Sequence, residues 1–178
     1  MNLPNKLTVA RVCLIPVFLV IYLGQIFGPA SHYVALAIFA VASATDWLDG
    51  YIARKHHLIT NFGKFMDPLA DKLLVCSAMV AMVPLRLPAW AVIIIISREF
   101  IITGFRLIAA EKNMVLAADI WGKIKTVTQM LLIIFLLLEL SGAWVPAVSW
   151  ILITLSVFFT ILSACNYIFK NLNVLKED

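Results

Sequence analysis

Residues 46–71 read DWLDGYIARKHHLITNFGKFMDPLAD. Four aspartates fall in this stretch, Asp46 and Asp49 three apart and Asp67 and Asp71 four apart. Such spacings put side chains on one face of an α-helix, so each pair predicts two neighbouring carboxylates. Gly50 and Ala53 fall on or near the stripe that Asp46 and Asp49 begin. Small residues there let another helix, or a ligand, approach the backbone closely. Pro68 lacks the amide that a helix would bond to the carbonyl of Lys64, which predicts a kink or a helix start beside Asp67.

The surrounding sequence is apolar. Of 178 residues 63% are apolar and 13% charged, and the mean hydropathy is +0.99. A soluble domain of this length needs more polar surface, so lipid is the expected solvent. Apolar runs broken by turn signals predict an all-α membrane protein, a single domain over residues 1–178. Six transmembrane helices are expected at roughly 8–27, 32–54, 64–84, 88–110, 121–142 and 146–169. Gly28-Pro29, Pro84 to Pro88, and Ser141-Gly142 with Pro146 mark three of the turns. Asn2 to Ala10 reads as a short interfacial helix leading into the first span, which lacks a cleavage pattern and is expected to be retained. Cys13, Cys76 and Cys165 are few and scattered, and read as small core residues rather than a disulfide framework.

Basic residues set the expected orientation. Lys6 and Arg11 precede the first span, Arg54, Lys55 and Lys64 lie between the second and third, and Lys112, Lys123 and Lys125 between the fourth and fifth. Lys170 and Lys176 follow the last, whereas the opposite loops hold only Arg86. Both termini are therefore expected on the cytoplasmic side of the cell inner or plasma membrane. Trp90, Trp144 and Trp150 fit the outer interfacial belt, and Trp47 reads as a packing residue.

Length then decides where the aspartates lie. Leu73 to Pro84 is twelve residues. As helix that covers about 18 Å of a hydrocarbon core about 30 Å thick. The third span must take in Asp71 and, with it, the neighbourhood of Asp67. Ser31 to Thr45 is fifteen residues and Leu87 to Ser97 eleven, so Asp46, Asp49, Arg98 and Glu99 are drawn inward too. Charges at such depth are functional candidates by default. A water-filled cavity open to the cytoplasm would accommodate all four carboxylates. Facing one another they repel, and two divalent cations neutralise them. Hard oxygen ligands without nearby thiols favour Mg²⁺ or Mn²⁺, and a two-metal site suits phosphoryl transfer.

Asp46-x2-Asp49-Gly50-x2-Ala53-Arg54, eight residues, then Gly63-x3-Asp67-x3-Asp71 resembles the full signature of the CDP-alcohol phosphotransferase family. The resemblance implies transfer of a phosphatidyl or similar group from a CDP-linked lipid to an alcohol, with CMP released. It implies that all four aspartates bind metal and that Asp71 is also the base for the acceptor hydroxyl. Gly50, Arg54 and Thr60, with Asn5 and Thr8 from Pro4-Asn5-x2-Thr8, match positions that contact the CDP moiety. Ser97-Arg98-Glu99 through Arg106, with Gly122-Lys123-Ile124-Lys125-Thr126, is similar to members whose donor is CDP-diacylglycerol and whose acceptor is glycerol 3-phosphate. Arg98, Arg106, Lys123 and Lys125 suit the acceptor phosphate, since guanidinium and ammonium groups form charge-assisted bonds to it. A homodimer is implied by resemblance alone, and nothing in the pattern points to nucleic acid.

Other readings stay open at this point. Arg98 and Glu99 can form a plain buried ion pair, although adjacent residues do not share a helix face. Lys123 and Lys125 can be membrane anchors, His56 and His57 solvated loop residues, and Glu111 and Asp119 loop charges. Serine or inositol phosphate are alternative acceptors. A cation transporter is the rival from another class, but its inverted repeat would place a second motif in the other half.

Overall fold

The computed structural model describes the backbone of residues 3–55, 61–83, 85–111 and 119–171; side chains at 3–4, 46–55, 61–65, 68 and 110–111 lie outside the description. Every regular element among the described residues is helical: α1 (Leu3–Gly24), a 3₁₀ turn (Gly28–Ala30), α2 (Ser31–Lys55), α3 (Asn61–Met82), α4 (Ala89–Glu111), α5 (Ile120–Leu137) and α6 (Val145–Lys170). Asn5–Gly24 of α1, α5 and α6 are long and apolar enough to cross a membrane. The other helices reach 25, 22 and 23 residues and carry the charged motifs. They too present large apolar side chains outward, among them Val41, Leu73, Val80, Ile93 and Phe100.

Two compact units emerge, Met1–Pro84 with Leu137–Glu139, and Leu85–Leu136 with Leu140–Asp178. In the first, α1 packs against both α2 and α3. Its buried face is Asn5, Thr8, Arg11, Ile15, Phe18 and Tyr22, a helical repeat that is polar in one half and apolar in the other. Phe18 stacks on Tyr22 and leans on Phe39 of α2, while Ala35, Ala42, Ala70 and Ala78 keep the facing helices close. Buried His32 meets Glu139 at 2.9 Å in the same unit.

In the second unit α4 packs on α6. A buried cluster of Ile102, Phe105, Ala109 and Tyr167 joins them. Side chains tie in α5: Gln129 donates to Thr160 at 3.1 Å, and Trp121 stacks on Phe159.

Several expectations change. Among the described residues the expected interfacial segment is not a separate helix: α1 begins at Leu3 and runs on through Asn5, Thr8 and Arg11, which are buried. α3 starts at Asn61, well before Asp67, so Pro68 does not mark its start. α5 stops at Leu137 rather than 142. There Arg86 donates to the Leu136 carbonyl at 3.2 Å, and Glu139 turns to a φ of 48°. Gly142, at φ 147°, is needed as glycine: a Cβ there would lie 2.7 Å from the Trp144 indole nitrogen. The three cysteines are free, but Cys13 and Cys165 are exposed rather than in the core.

Asp119 is more than a loop charge. It stands just before α5 and accepts a 2.5 Å bond from Asn166, with Lys170 at 3.4 Å. Burial raises its pKa, but the Asn166 amide, Lys170 and the Ile120 backbone amide outweigh it and hold the carboxyl below its ordinary value. Lys170 is 62% exposed, so its share is screened. A depressed carboxylate stabilises the fold at neutral pH and loses that contribution as pH falls through its folded pKa. The melting temperature of Asp119→Asn should therefore lie below wild type at pH 7, and the gap should close on acidification. A gap independent of pH would contradict the assignment.

Candidate active site

In the first unit, α3 carries Asp67 and Asp71 one turn apart, both half-buried. Ala70 and Leu74 beside them are fully packed, so the helix is anchored at the motif itself. Thr8 of α1, with no exposed surface, donates its hydroxyl to Asp67 Oδ1 at 2.6 Å. That length is typical of a charge-assisted O–H···O⁻ bond. Asn5, one turn earlier, is buried on the same face. Asp46, Asp49, Gly50 and Arg54 lie within the continuous α2 backbone, and their side chains are outside the described set. Thr60, His56 and His57 fall outside the described residues altogether.

Arg11 was counted from the sequence as a basic anchor ahead of the first span. It is instead wholly buried, and its Nε donates to the Ala42 carbonyl at 3.1 Å. The same carbonyl accepts the Thr45 hydroxyl at 2.7 Å. Its spacing on the buried face, three after Thr8 and four before Ile15, is the signal that marks it.

In the second unit the expected phosphate-binding cations divide. Arg98 and Lys125 converge on the Glu99 carboxylate, Arg98 through Nη1 at 3.1 Å and Lys125 through Nζ. Adjacency on the helix does not prevent the first contact, because both side chains are long enough to turn toward each other. Arg98 Nη2 also donates to Ser163 at 2.6 Å, beside Gly122, while its buried Nε has no hydrogen-bond partner among the described residues. Arg106 donates from Nε to the Tyr167 hydroxyl at 3.0 Å, and its guanidinium also lies over that ring. Lys123 is exposed, two residues before Lys125 on α5. Ser156, Thr160, Ser163 and Tyr167 form a buried stripe along α6 that a four-three-four spacing could have revealed.

As for metal, Asp67 and Asp71 supply hard oxygen donors at adjacent positions, and their chemistry fits Mg²⁺ or Mn²⁺. The described side chains alone hold no group of three or more His, Cys, Asp or Glu residues.

Residues 1–162 match the family described as CDP-alcohol phosphatidyltransferase. The chain belongs to that family. The CDP-alcohol phosphatidyltransferase match runs through both units, from α1 into α6. Named relatives are similar along nearly their whole length. The CDP-diacylglycerol–glycerol-3-phosphate 3-phosphatidyltransferase of Bacillus subtilis is 46% identical, covering 99% of this chain and 98% of the relative. The enzyme of the same name from Haemophilus influenzae is 39% identical over 94% and 91%. A probable phosphatidylglycerophosphate synthase of Mycobacterium tuberculosis is 36% identical over 96% and 82%.

Proposed function

We propose that the protein transfers the phosphatidyl group of CDP-diacylglycerol to glycerol 3-phosphate, giving phosphatidylglycerophosphate and CMP. The observation that carries this is end-to-end similarity, at up to 46% identity, to relatives bearing that activity in their names. Asp46, Asp49, Asp67 and Asp71 would hold two Mg²⁺ or Mn²⁺ ions. When bound, these supply positive charge to the pyrophosphate and to the departing CMP. Asp71 takes the proton of the acceptor hydroxyl as its oxygen bonds to the phosphatidyl phosphorus and the bond from that phosphorus to CMP breaks. Asn5, Thr8, Gly50, Arg54 and Thr60 would contact the CDP moiety, and Arg98, Arg106, Lys123 and Lys125 would contact the acceptor phosphate.

In this reading all six helices would cross the inner or plasma membrane, with both termini and a substrate cavity on the cytoplasmic side. Among the described residues three helices qualify by length and composition, and the others owe their polarity to the motifs they carry. A homodimer completes the reading.

Purified protein with Mn²⁺ should release CMP from CDP-diacylglycerol when glycerol 3-phosphate is added, and at most slowly with serine or inositol phosphate. Equal rates with serine would refute the acceptor assignment. Absence of CMP release with every acceptor would refute the transferase reading.

A further inference from the structure

We infer that Thr8 and Arg11, neighbours on one face of α1, are positioning residues that set the geometry of the two aspartate-bearing helices. This rests on the metal-dependent reading above and assigns Thr8 a role beyond contact with the nucleotide.

Three observations converge. Thr8 and Arg11 have no exposed surface and stand three residues apart on the polar half of the buried α1 face. Thr8 reaches α3 through Asp67 Oδ1 at 2.6 Å. Arg11 reaches α2 through the Ala42 carbonyl at 3.1 Å. In an α-helix the carbonyl of residue 42 is the acceptor for the amide of residue 46. Arg11 is thus fixed to the turn from which Asp46 follows, and Thr8 is fixed to a carboxylate of the second pair.

Threonine suits this task because its branched side chain has few χ1 rotamers, and full burial with the bond to Asp67 selects one of them. A bond to one carboxylate oxygen orients the other, as partners of metal ligands commonly do. Arginine suits its own position because a buried cation needs a fixed acceptor, and because its positive charge offsets carboxylates gathered in the same unit. α1 thereby ties both halves of the aspartate motif to one rigid element.

The test reads Mn²⁺ binding to the purified full chain by electron paramagnetic resonance, without substrate. Removing an oriented partner of a metal ligand lowers affinity about 10-fold or more, so Thr8→Val should show that loss while Thr8→Ser stays within about twofold of wild type. Thr8→Ala should behave as Thr8→Val does. In the transferase assay the KM for glycerol 3-phosphate should be unchanged in all three. Unaltered Mn²⁺ affinity in Thr8→Val with weakened CMP binding would overturn the proposal and leave a nucleotide contact. Failure of both hydroxyl-free variants to fold would also overturn it, since the role would then be structural. A wild-type chain that binds no Mn²⁺ would remove the metal-dependent reading itself, and the proposal with it.

Discussion

Asp71→Asn is expected to lower the rate of CMP release by about 10³-fold, within the range set by loss of a general base. The amide has the shape of the carboxylate, so the packing of Ala70 and Leu74 around the motif should survive. What is lost is the ability to take the acceptor proton. Asp67→Asn provides the comparison. Its defect should be one of metal affinity, and raising Mn²⁺ should recover much of the rate. Asp71→Asn should stay slow at saturating Mn²⁺, and the acidic limb of the kcat–pH profile should disappear. If excess Mn²⁺ restored Asp71→Asn to more than about a tenth of wild type, a contribution as large as a general base makes would be excluded. Asp71 would then serve only as a ligand.

The aspartate motif was legible because two constraints act on it together. Helical spacing sets Asp67 and Asp71 one turn apart on α3, and the apolar runs beside the motif are too short to span a membrane without it. Helix number and approximate position were legible for a similar reason, since apolar runs between turn residues leave few alternatives. The ends were less so. α5 stops at Leu137, where Arg86, fifty residues earlier in the chain, donates to the Leu136 carbonyl, a contact no local pattern announces. Arg11 misled by its position: a basic residue ahead of an apolar run is ordinarily an anchor in the headgroups. Only the packing of α1 against two helices shows that this one faces inward. Asp119 was likewise read only as a loop charge, since Asn166 and Lys170 lie far along the chain.

The cations of the second unit carry the other large expectation. Glu99→Leu should destabilise the protein by about 3–5 kcal/mol, the usual cost of stranding a buried charge. Arg98, Glu99 and Lys125 have side chains only 13%, 12% and 6% exposed, so water can do little to replace the lost carboxylate. Arg98 would keep its bond to Ser163. Lys125 would lose the carboxylate it now meets. Combining Glu99→Leu with Lys125→Met removes one cation along with its partner, and should recover most of the lost melting temperature. Recovery of stability need not bring recovery of function. If Lys125 also serves the acceptor phosphate, the double variant should fold well and still show a raised KM for glycerol 3-phosphate, with the KM for CDP-diacylglycerol unchanged. A double variant with wild-type KM would make the pair a structural brace between α4 and α5. A single Glu99→Leu variant melting with wild type would show that the carboxylate is not what keeps these charges in place.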